Sequence, residues 1–506
     1  MTRELTVIVL AAGNGKRMKS KTPKVLHTIG GRSMVGHVLT AVEALRPDRV
    51  VAVVGHAREQ VVSHLDQHHT GVTIAVQEEQ LGTGHAARVG LDASGATSGD
   101  VLVLTADTPL LTGETLVWFM ERHRDANGSV SILTAEVPDP TGYGRIVRGE
   151  GGDVSAIVEE KDATAEQRAI AEINSGILAF DAAFLAGALP RLGNANASAE
   201  YYLTDAVRLA AADGVRTGGY LLADRIQTEG ANDRVQLAAL GRELNRRIVE
   251  GWMRAGVTVV DPASTWIHVD VDLGQDVTIL PGVQLHGATS VGDDALIGPE
   301  VTLTDCEVGA GAQVVRTQAT LAVIGDGAEV GPFAHLRPGT VLGARGKIGG
   351  FVETKNAEIG AGAKVPHLSY VGDATIGEMS NIGAGTIFAN YDGVAKHHTA
   401  IGAHVRSGSN VTFVAPVTVG DGAGTGAGSL IRQDVPPGAM ALSAGPQRVI
   451  EDWAQTRRAG TPMAAAAERA ADAGVLIAAT QTSGEHEESH TGAPGVGAAD
   501  PRRSES

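Results

Sequence analysis

Apolar residues follow three rhythms along this chain, and each predicts a different architecture. Up to about residue 230, short aliphatic runs such as Leu5–Leu10, Val50–Val54, Val72–Val76 and Val101–Leu104 alternate with longer amphipathic stretches. That alternation predicts an α/β layer whose parallel strands are buried on both faces. Between Asn232 and Ala255, Leu237, Leu240, Leu244, Ile248 and Trp252 recur every three or four residues, the stripe of one long connecting helix. Beyond Val257 the beat becomes six. Leu273, Ile279, Leu285, Val291, Ile297 and Leu303 are followed, after a one-residue slip, by Val308, Val314, Ile324, Val330, Leu336, Leu342 and Ile348. Ile359, Val365, Val371, Ile376, Ile382, Ile401, Phe413, Val419 and Ile431 continue the series, often with Gly following the aliphatic residue. A helix repeating at 3.6 cannot align a period of six. Short flat sides with small residues at the corners can, three hexads closing one triangular coil. No single coil buries its apolar face alone, so the coils must stack as a solenoid.

Composition refines this picture. Aromatic residues make up only 3% of 506, so the cores must be built from Val, Ile, Leu and Ala, and many of the 66 glycines recur periodically in the second half. A net charge of −17 argues against nucleic acid as a partner, because a binder needs a basic face to neutralise phosphates. No apolar run reaches the ~18 residues of a membrane span, and residues 5–13 read as a strand entering a Gly/Lys loop rather than a signal peptide. The single Cys306 suits a reducing compartment, so a cytoplasmic protein without membrane insertion is expected. The domains expected are 1–231 (α/β), 232–255 (linker helix) and 256–455 (solenoid). A tail over 456–506 begins Ala-rich, permits a helix, and then becomes too polar to support a core, so a disordered tail is expected.

Candidate chemistry falls in both halves. The first strand runs into Leu10-Ala11-Ala12-Gly13-Asn14-Gly15-Lys16-Arg17, a turn whose backbone N–H groups and cations could face an anion. It lacks the third glycine of the dinucleotide fingerprint and is not a P-loop. Lys24 could reach a second phosphate or be a solvated surface lysine. Gln77 and the loop Leu81-Gly82-Thr83-Gly84 suit the edge of a planar base. Asp107, just past a buried strand, suits one hard cation, although taken alone it reads first as the cap of a helix over Leu110–Met120. In the second half, Arg337, Lys355, His367, Tyr370, Asn381, Asn390, Tyr391 and Lys396 fall in what read as three insertions on the solenoid exterior. Histidine is the one side chain in that set that ordinarily titrates near neutrality, as an acyl-transfer base requires. His367 could also be a structural histidine bonded to a loop carbonyl.

The segments LAAGNGKRM, TPKVLH, LGTGHA, TADTPL, TGYGRIV, IVEEKDAT, EINSG and GANDR occur in the order of the motifs of sugar-nucleotide pyrophosphorylases. Followed by a hexapeptide solenoid, they resemble the bacterial bifunctional N-acetylglucosamine-1-phosphate uridylyltransferase/glucosamine-1-phosphate N-acetyltransferases, over about residues 5–452. The resemblance implies a Rossmann-like nucleotidyltransferase domain, a linker helix and a left-handed parallel β-helix that assembles as a homotrimer. It implies that acetyl-CoA acetylates glucosamine 1-phosphate and that UTP then uridylylates the product, feeding peptidoglycan synthesis. Leu10, Ala11, Ala12, Gly13, Gln77, Gly82 and Thr83 would hold uridine, with Lys24 and Arg17 on the phosphates. Asp107 and Asn232 would share Mg²⁺, and Gly144, Glu159 and Asn174 would hold the sugar. His367 would be the proton acceptor, Arg337, Lys355, Tyr370 and Asn381 the glucosamine 1-phosphate site, and Ala384, Asn390, Tyr391, Ser409 and Ala427 the acetyl-CoA channel. Departures from the family pattern are Lys16 in the Gly-rich loop, Ala106 before Asp107, and Ala444 where a basic residue is common.

Three rival readings make distinct demands. A one-activity nucleotidyltransferase with a merely structural solenoid does not need Arg337, Lys355, His367 and Tyr370 together. A non-catalytic scaffold would not keep Lys24 and Asp107. A solenoid metal hydratase needs three histidines on neighbouring coils; His335, His367 and His397 or His398 are candidates, but their spacing fits poorly.

Overall fold

A computed structural model describes residues 3–126, 129–443 and 445–473. The chain divides into two compact units, 1–444 and 445–506. In the second, helices Trp453–Arg457 and Pro462–Asp472 are formed, the latter in the Ala-rich stretch with Thr461 as its N-cap. Ala444 and the polar remainder of the tail lie outside the described residues.

The first half of unit 1 is built on a nine-stranded sheet. Leu5–Leu10 sits at its centre, parallel to Arg49–Val54 on one side and to Asp100–Thr105 on the other. Strand Thr73–Val76 extends one edge. Strand Glu172–Asp181 runs antiparallel to both of its neighbours, Asp100–Thr105 and Val130–Glu136, so the sheet is mixed rather than parallel throughout. The reason is the route the chain takes: it reaches this strand from the hairpin Arg145–Arg148/Val154–Val158, not by a helical crossover. The ends that carry Gly13, Gln77 and Asp107 are the C-terminal ends of parallel strands, where open α/β sheets place their ligands.

The expected connector is helix Arg234–Arg254, started by Asp233, whose side chain accepts from the N–H groups of Val235 and Gln236. Leu240, Asn245 and Val249 form its buried face. Beyond it, the strands form a left-handed parallel β-helix, each pairing with the equivalent strand one coil on. All the six-residue-beat positions named above are buried, none more than 6% exposed, and they join one continuous core. Phe388 and Phe413 lie in that core with ring centroids 5.2 Å apart.

The solenoid exterior departs from the three insertions expected. Arg337, Lys355, His367 and Tyr370 belong to regular coils, since His335 pairs with Glu353, Glu353 with Tyr370 and Tyr370 with Ile387 at a step of 17 or 18 positions. Only the next coil is lengthened. Ile387 pairs with Thr412, 25 positions on, and the excess projects as the loop around Asn390–His398, closed by a Tyr391–Lys396 bridge. Side chains at regular corner positions imitate an insertion in sequence because the polar outward residues break the aliphatic beat without adding length.

Candidate functional sites on the sheet and on the β-helix

At the sheet's C-terminal edge a cleft of about 480 Å³ is lined by Leu10 to Asn14, Lys16, Lys24, Gln77, Gly82, Thr83 and Asp107, together with Thr105 and Glu200. Gly82 adopts φ +108°, and a Cβ there would lie 2.6 Å from the Tyr201 carbonyl, so only glycine lets this loop close against residue 201. The Gln77 amide donates to the Gly82 carbonyl at 3.2 Å, tying the two base-edge candidates together. Gln80, which the sequence had not singled out, donates to the Ala12 carbonyl at 2.7 Å and bonds Asn14, bracing the Gly-rich turn. A repeating pattern gives no hint of such a brace; only the fold brings Gln80 to residue 12.

The Lys24 ammonium bonds Asp107 Oδ2 and also donates to Asn232 Oδ1 at 2.8 Å. Two oxygens from segments far apart in sequence therefore converge on one point charge. That arrangement fits a hard cation that takes two protein oxygens and completes its shell with phosphate and water. Asp107 does not cap a helix. The helix that follows starts at Gly113, with the Thr112 side chain as its cap. Lys16 lines the cleft, whereas Arg17 is exposed and has no hydrogen-bond or ion-pair partner among the described residues.

Gly144, Glu159 and Asn174 form a second group. The Asn174 N–H donates to the Gly144 carbonyl at 2.8 Å, and a Cβ on Gly144 would lie 3.4 Å from both Glu159 carboxylate oxygens. Gly176, in the irregularity that follows Asn174, packs on Thr105 of the cleft. Burial pushes the Glu159 carboxyl above its ordinary range. A hydrogen bond from Thr204 Oγ1 at 3.1 Å opposes this, and the nearby Asp162 and Asp205 charges reinforce it.

On the β-helix, Arg337 and Lys355 stand on adjacent coils: the Arg337 N–H donates to the Thr354 carbonyl, and the guanidinium pairs with Glu353 at 2.9 Å. The Lys355 ammonium is held below the usual lysine range by the neighbouring positive charge of Lys396 and further by that of Arg337. Three cations thus crowd one surface, an arrangement costly unless an anion occupies it. Asp373 faces them. Asn356 donates to it at 2.8 Å and Asn390 bonds its other oxygen. Burial works to raise the Asp373 carboxyl, but those two bonds and the Lys396 and Lys355 charges outweigh it and hold the carboxyl below its ordinary range. Asp373 was not among the candidates; its signal in sequence was no more than a polar residue after the glycine of YVGD. Tyr370 Oη and Asn390 Nδ2 both border Gly372, leaving no room there for a side chain.

His367 lies on a different file. It ends strand Lys364–His367 and pairs with Gly350, and its carbonyl accepts from the Gly385 N–H at 3.2 Å. Asn381 bridges Lys364 on one side and Arg406 on the other, which sets Ala384 and Ser409 in line after His367. The next rung, Arg406 with Gly424, extends the line to Ala427. The His367 imidazole is exposed, and no hydrogen bond joins it to Arg337, Lys355 or Tyr370 within the described chain. Tyr391 is exposed on the projecting loop, its hydroxyl donating to the Gly393 carbonyl at 2.7 Å. The histidines of the metal-hydratase reading do not converge: His397 bonds Asp392, His398 bonds Thr375, and no set of three His, Cys, Asp or Glu side chains among the described residues is arranged around a metal position.

Known proteins resemble the chain over both of its halves. Residues 7–167 match the model of the MobA-like NTP transferase domain. The bifunctional protein GlmU of Rhodococcus opacus is 59% identical over 478 residues, covering 93% of this chain and 96% of its own. Those of Streptomyces avermitilis and Corynebacterium aurimucosum are 57% and 55% identical, with 92% of this chain covered in each case. With a nucleotidyltransferase sheet, a β-helix and relatives of this identity spanning nearly its whole length, the chain belongs to the family of bifunctional GlmU proteins.

Proposed function

We propose a division of labour between the sheet cleft and the β-helix flank, in which named side chains carry each of two reactions. The chain is a bifunctional enzyme of UDP-N-acetylglucosamine synthesis. It transfers acetyl from acetyl-CoA to glucosamine 1-phosphate, then a uridylyl group from UTP to the product. Its substrates are therefore small molecules, nucleotide and acetyl-CoA among them. No helix among the described residues is long and apolar enough to cross a membrane. We assign the protein to the cytoplasm, as the single buried thiol of Cys306 suits.

In uridylyl transfer, Leu10 to Gly13, Gln77, Gly82 and Thr83 bind the uridine end. Gly144, Glu159 and Asn174 hold the N-acetylated sugar. A phosphate oxygen of the sugar attacks the α-phosphorus in line and pyrophosphate leaves. Lys24, whose ammonium donates to Asp107 and Asn232 in this structure, turns its donors to a phosphate oxygen in the reaction. Asp107 and Asn232 would hold Mg²⁺, which supplies neutralisation of the phosphate charge. Arg17, exposed and without an ion-pair partner among the described residues, adds its charge to the phosphate side. The convergence of Asp107 and Asn232 on one cation is the observation that carries this assignment.

In acetyl transfer, Arg337 and Lys355 bind the phosphate of glucosamine 1-phosphate, while Tyr370 and Asn381 bind its sugar. The amine attacks the thioester carbonyl as His367 accepts its proton, and the proton passes to the departing CoA thiolate. Ala384, Asn390, Tyr391, Ser409 and Ala427 line the channel for the coenzyme arm. His367 and the cation cluster flank one corner of the β-helix, whose edge carries Phe333, Phe351 and Leu368, 53–63% exposed, the two rings stacked at 5.2 Å. A contiguous apolar ridge of that kind marks a protein contact. It supports a homotrimer in which one chain's His367 meets its neighbour's cations. Light scattering is expected to return three chain masses, and Phe351→Asp to lower that value together with acetyl transfer.

The crowding of Lys355 sets a pH dependence. Its charge, needed for phosphate, is lost at a lower pH than that of an isolated lysine, so the KM for glucosamine 1-phosphate rises early on the alkaline side. Removing the nearest cation by Lys396→Gln raises KM at neutral pH but shifts that alkaline limb to higher pH. A KM–pH profile of both enzymes measures the shift, and an unmoved limb refutes the role given to Lys355.

A further inference from the structure

We propose that the first coil of the β-helix is a positioning element for uridylyl transfer, acting through the hairpin that follows Lys24. The proposal rests on the assignment of Lys24, Asp107 and Asn232 given above. Lys24 opens a short turn, Lys24–Leu26, which leads directly into the hairpin Thr28–Ile29/Arg32–Ser33. The tip of that hairpin is seated on the β-helix. The Gly30 carbonyl accepts from the Val269 N–H at 2.9 Å, and a side chain on Gly31, at φ +87°, would run into His268 Nδ1. His268 is itself fixed, since its Nδ1 accepts from the Gly287 N–H at 3.0 Å and its ring stacks on His286 with centroids 4.4 Å apart. Arg32, held at its other nitrogen by Thr40 at 3.1 Å, pairs with Asp270 at 2.5 Å.

Behind the tip lies a small apolar cluster separate from the main sheet cores: Ile29, Met34, Leu110, Ala231 and Leu240. Its members are close in sequence to each of the three converging groups. Ile29 lies on the Lys24 side, Leu110 follows Asp107, and Ala231 adjoins Asn232, its N–H donating to the Asp107 carbonyl at 3.2 Å. Leu240 belongs to the junction helix. The point where Lys24, Asp107 and Asn232 meet is thus backed by one cluster, and the β-helix holds the hairpin that closes it. Gly144, Glu159 and Asn174 are absent from the cluster, so a disturbance at the tip reaches the phosphate side of the reaction and not the sugar side.

Charge reversal at the seat tests this. Arg32→Glu and Asp270→Arg are each expected to lower kcat/KM for UTP about fivefold, the scale of a lost partly exposed ion pair with added repulsion. The double variant Arg32→Glu/Asp270→Arg restores it to within about twofold. The KM for N-acetylglucosamine 1-phosphate and the rate of acetyl transfer stay at wild-type values in all three. Gly31→Ala, which lifts the tip, lowers kcat/KM for UTP by more than either single reversal. Silent single reversals, a double variant without rescue, or a parallel fall in acetyl transfer overturns the proposal. Lys24→Ala run alongside separates the two claims. If it leaves uridylyl transfer intact, the assignment of Lys24 fails; if it abolishes transfer while the reversals are silent, only the coupling fails.

Discussion

Asp107→Ala is expected to lower uridylyl transfer by about a thousandfold, the scale of losing a charge-stabilising group in phosphoryl chemistry, and to leave acetyl transfer at its original rate. Asp107 supplies one of the two oxygens that meet on the Lys24 ammonium, and its removal leaves Asn232 alone at that point. The backbone contact from the Ala231 N–H to the Asp107 carbonyl survives the substitution, so the loop keeps its course. Asp107→Asn, which keeps the shape and removes the charge, should fall nearly as far. Measured on a folded enzyme, retained uridylyl transfer would remove Asp107 from the mechanism. Loss of both activities together would mean that the two sites are not independent.

The mirror experiment is His367→Ala. Acetyl transfer should drop by about 10²–10⁴, the range spanned by a positioned general base, whereas uridylyl transfer from ready-made N-acetylglucosamine 1-phosphate continues unchanged. The imidazole is exposed and ends a strand whose core residue is Val365, so deleting it opens no cavity. Separate assays with glucosamine 1-phosphate plus acetyl-CoA, and with the acetylated sugar plus UTP, read the two outcomes. An alanine variant that still acetylates at full rate would leave the amine proton without the acceptor proposed for it.

Much of this architecture was legible from residue spacing. A period of six is so far from any helical repeat that every aliphatic residue assigned to it, from Leu273 to Ile431, proved buried. The junction helix was equally plain, because Leu237, Leu240, Leu244, Ile248 and Trp252 all belong to or pack against apolar clusters while Arg246 and Arg254 pair with Glu250 on the outside. Strand direction was not legible. Glu172–Asp181 has the same apolar run as its parallel neighbours, and only the route of the preceding hairpin turns it round. At the sites, motif residues such as Gly82 and Asp107 stood out because backbone geometry or charge restricts them. Asp373 and Gln80 did not, because each acts on partners distant along the chain: Asn390 and Asn356 for one, Ala12 for the other. The three apparent insertions on the solenoid failed for a related reason, as an outward polar side chain and an added residue interrupt an aliphatic beat alike.

The file that runs from His367 through Ala384 and Ser409 to Ala427 has a further consequence. Neighbouring coils are separated by the strand spacing of about 4.8 Å, so three steps measure roughly 14 Å along the axis. If a coenzyme arm lies along that file, the protein gauges its length in whole coil heights and cannot adjust it by fractions. Tolerance for longer or shorter acyl carriers would then come in discrete increments, as on a notched ruler, and the choice of notch was made when the number of coils was set.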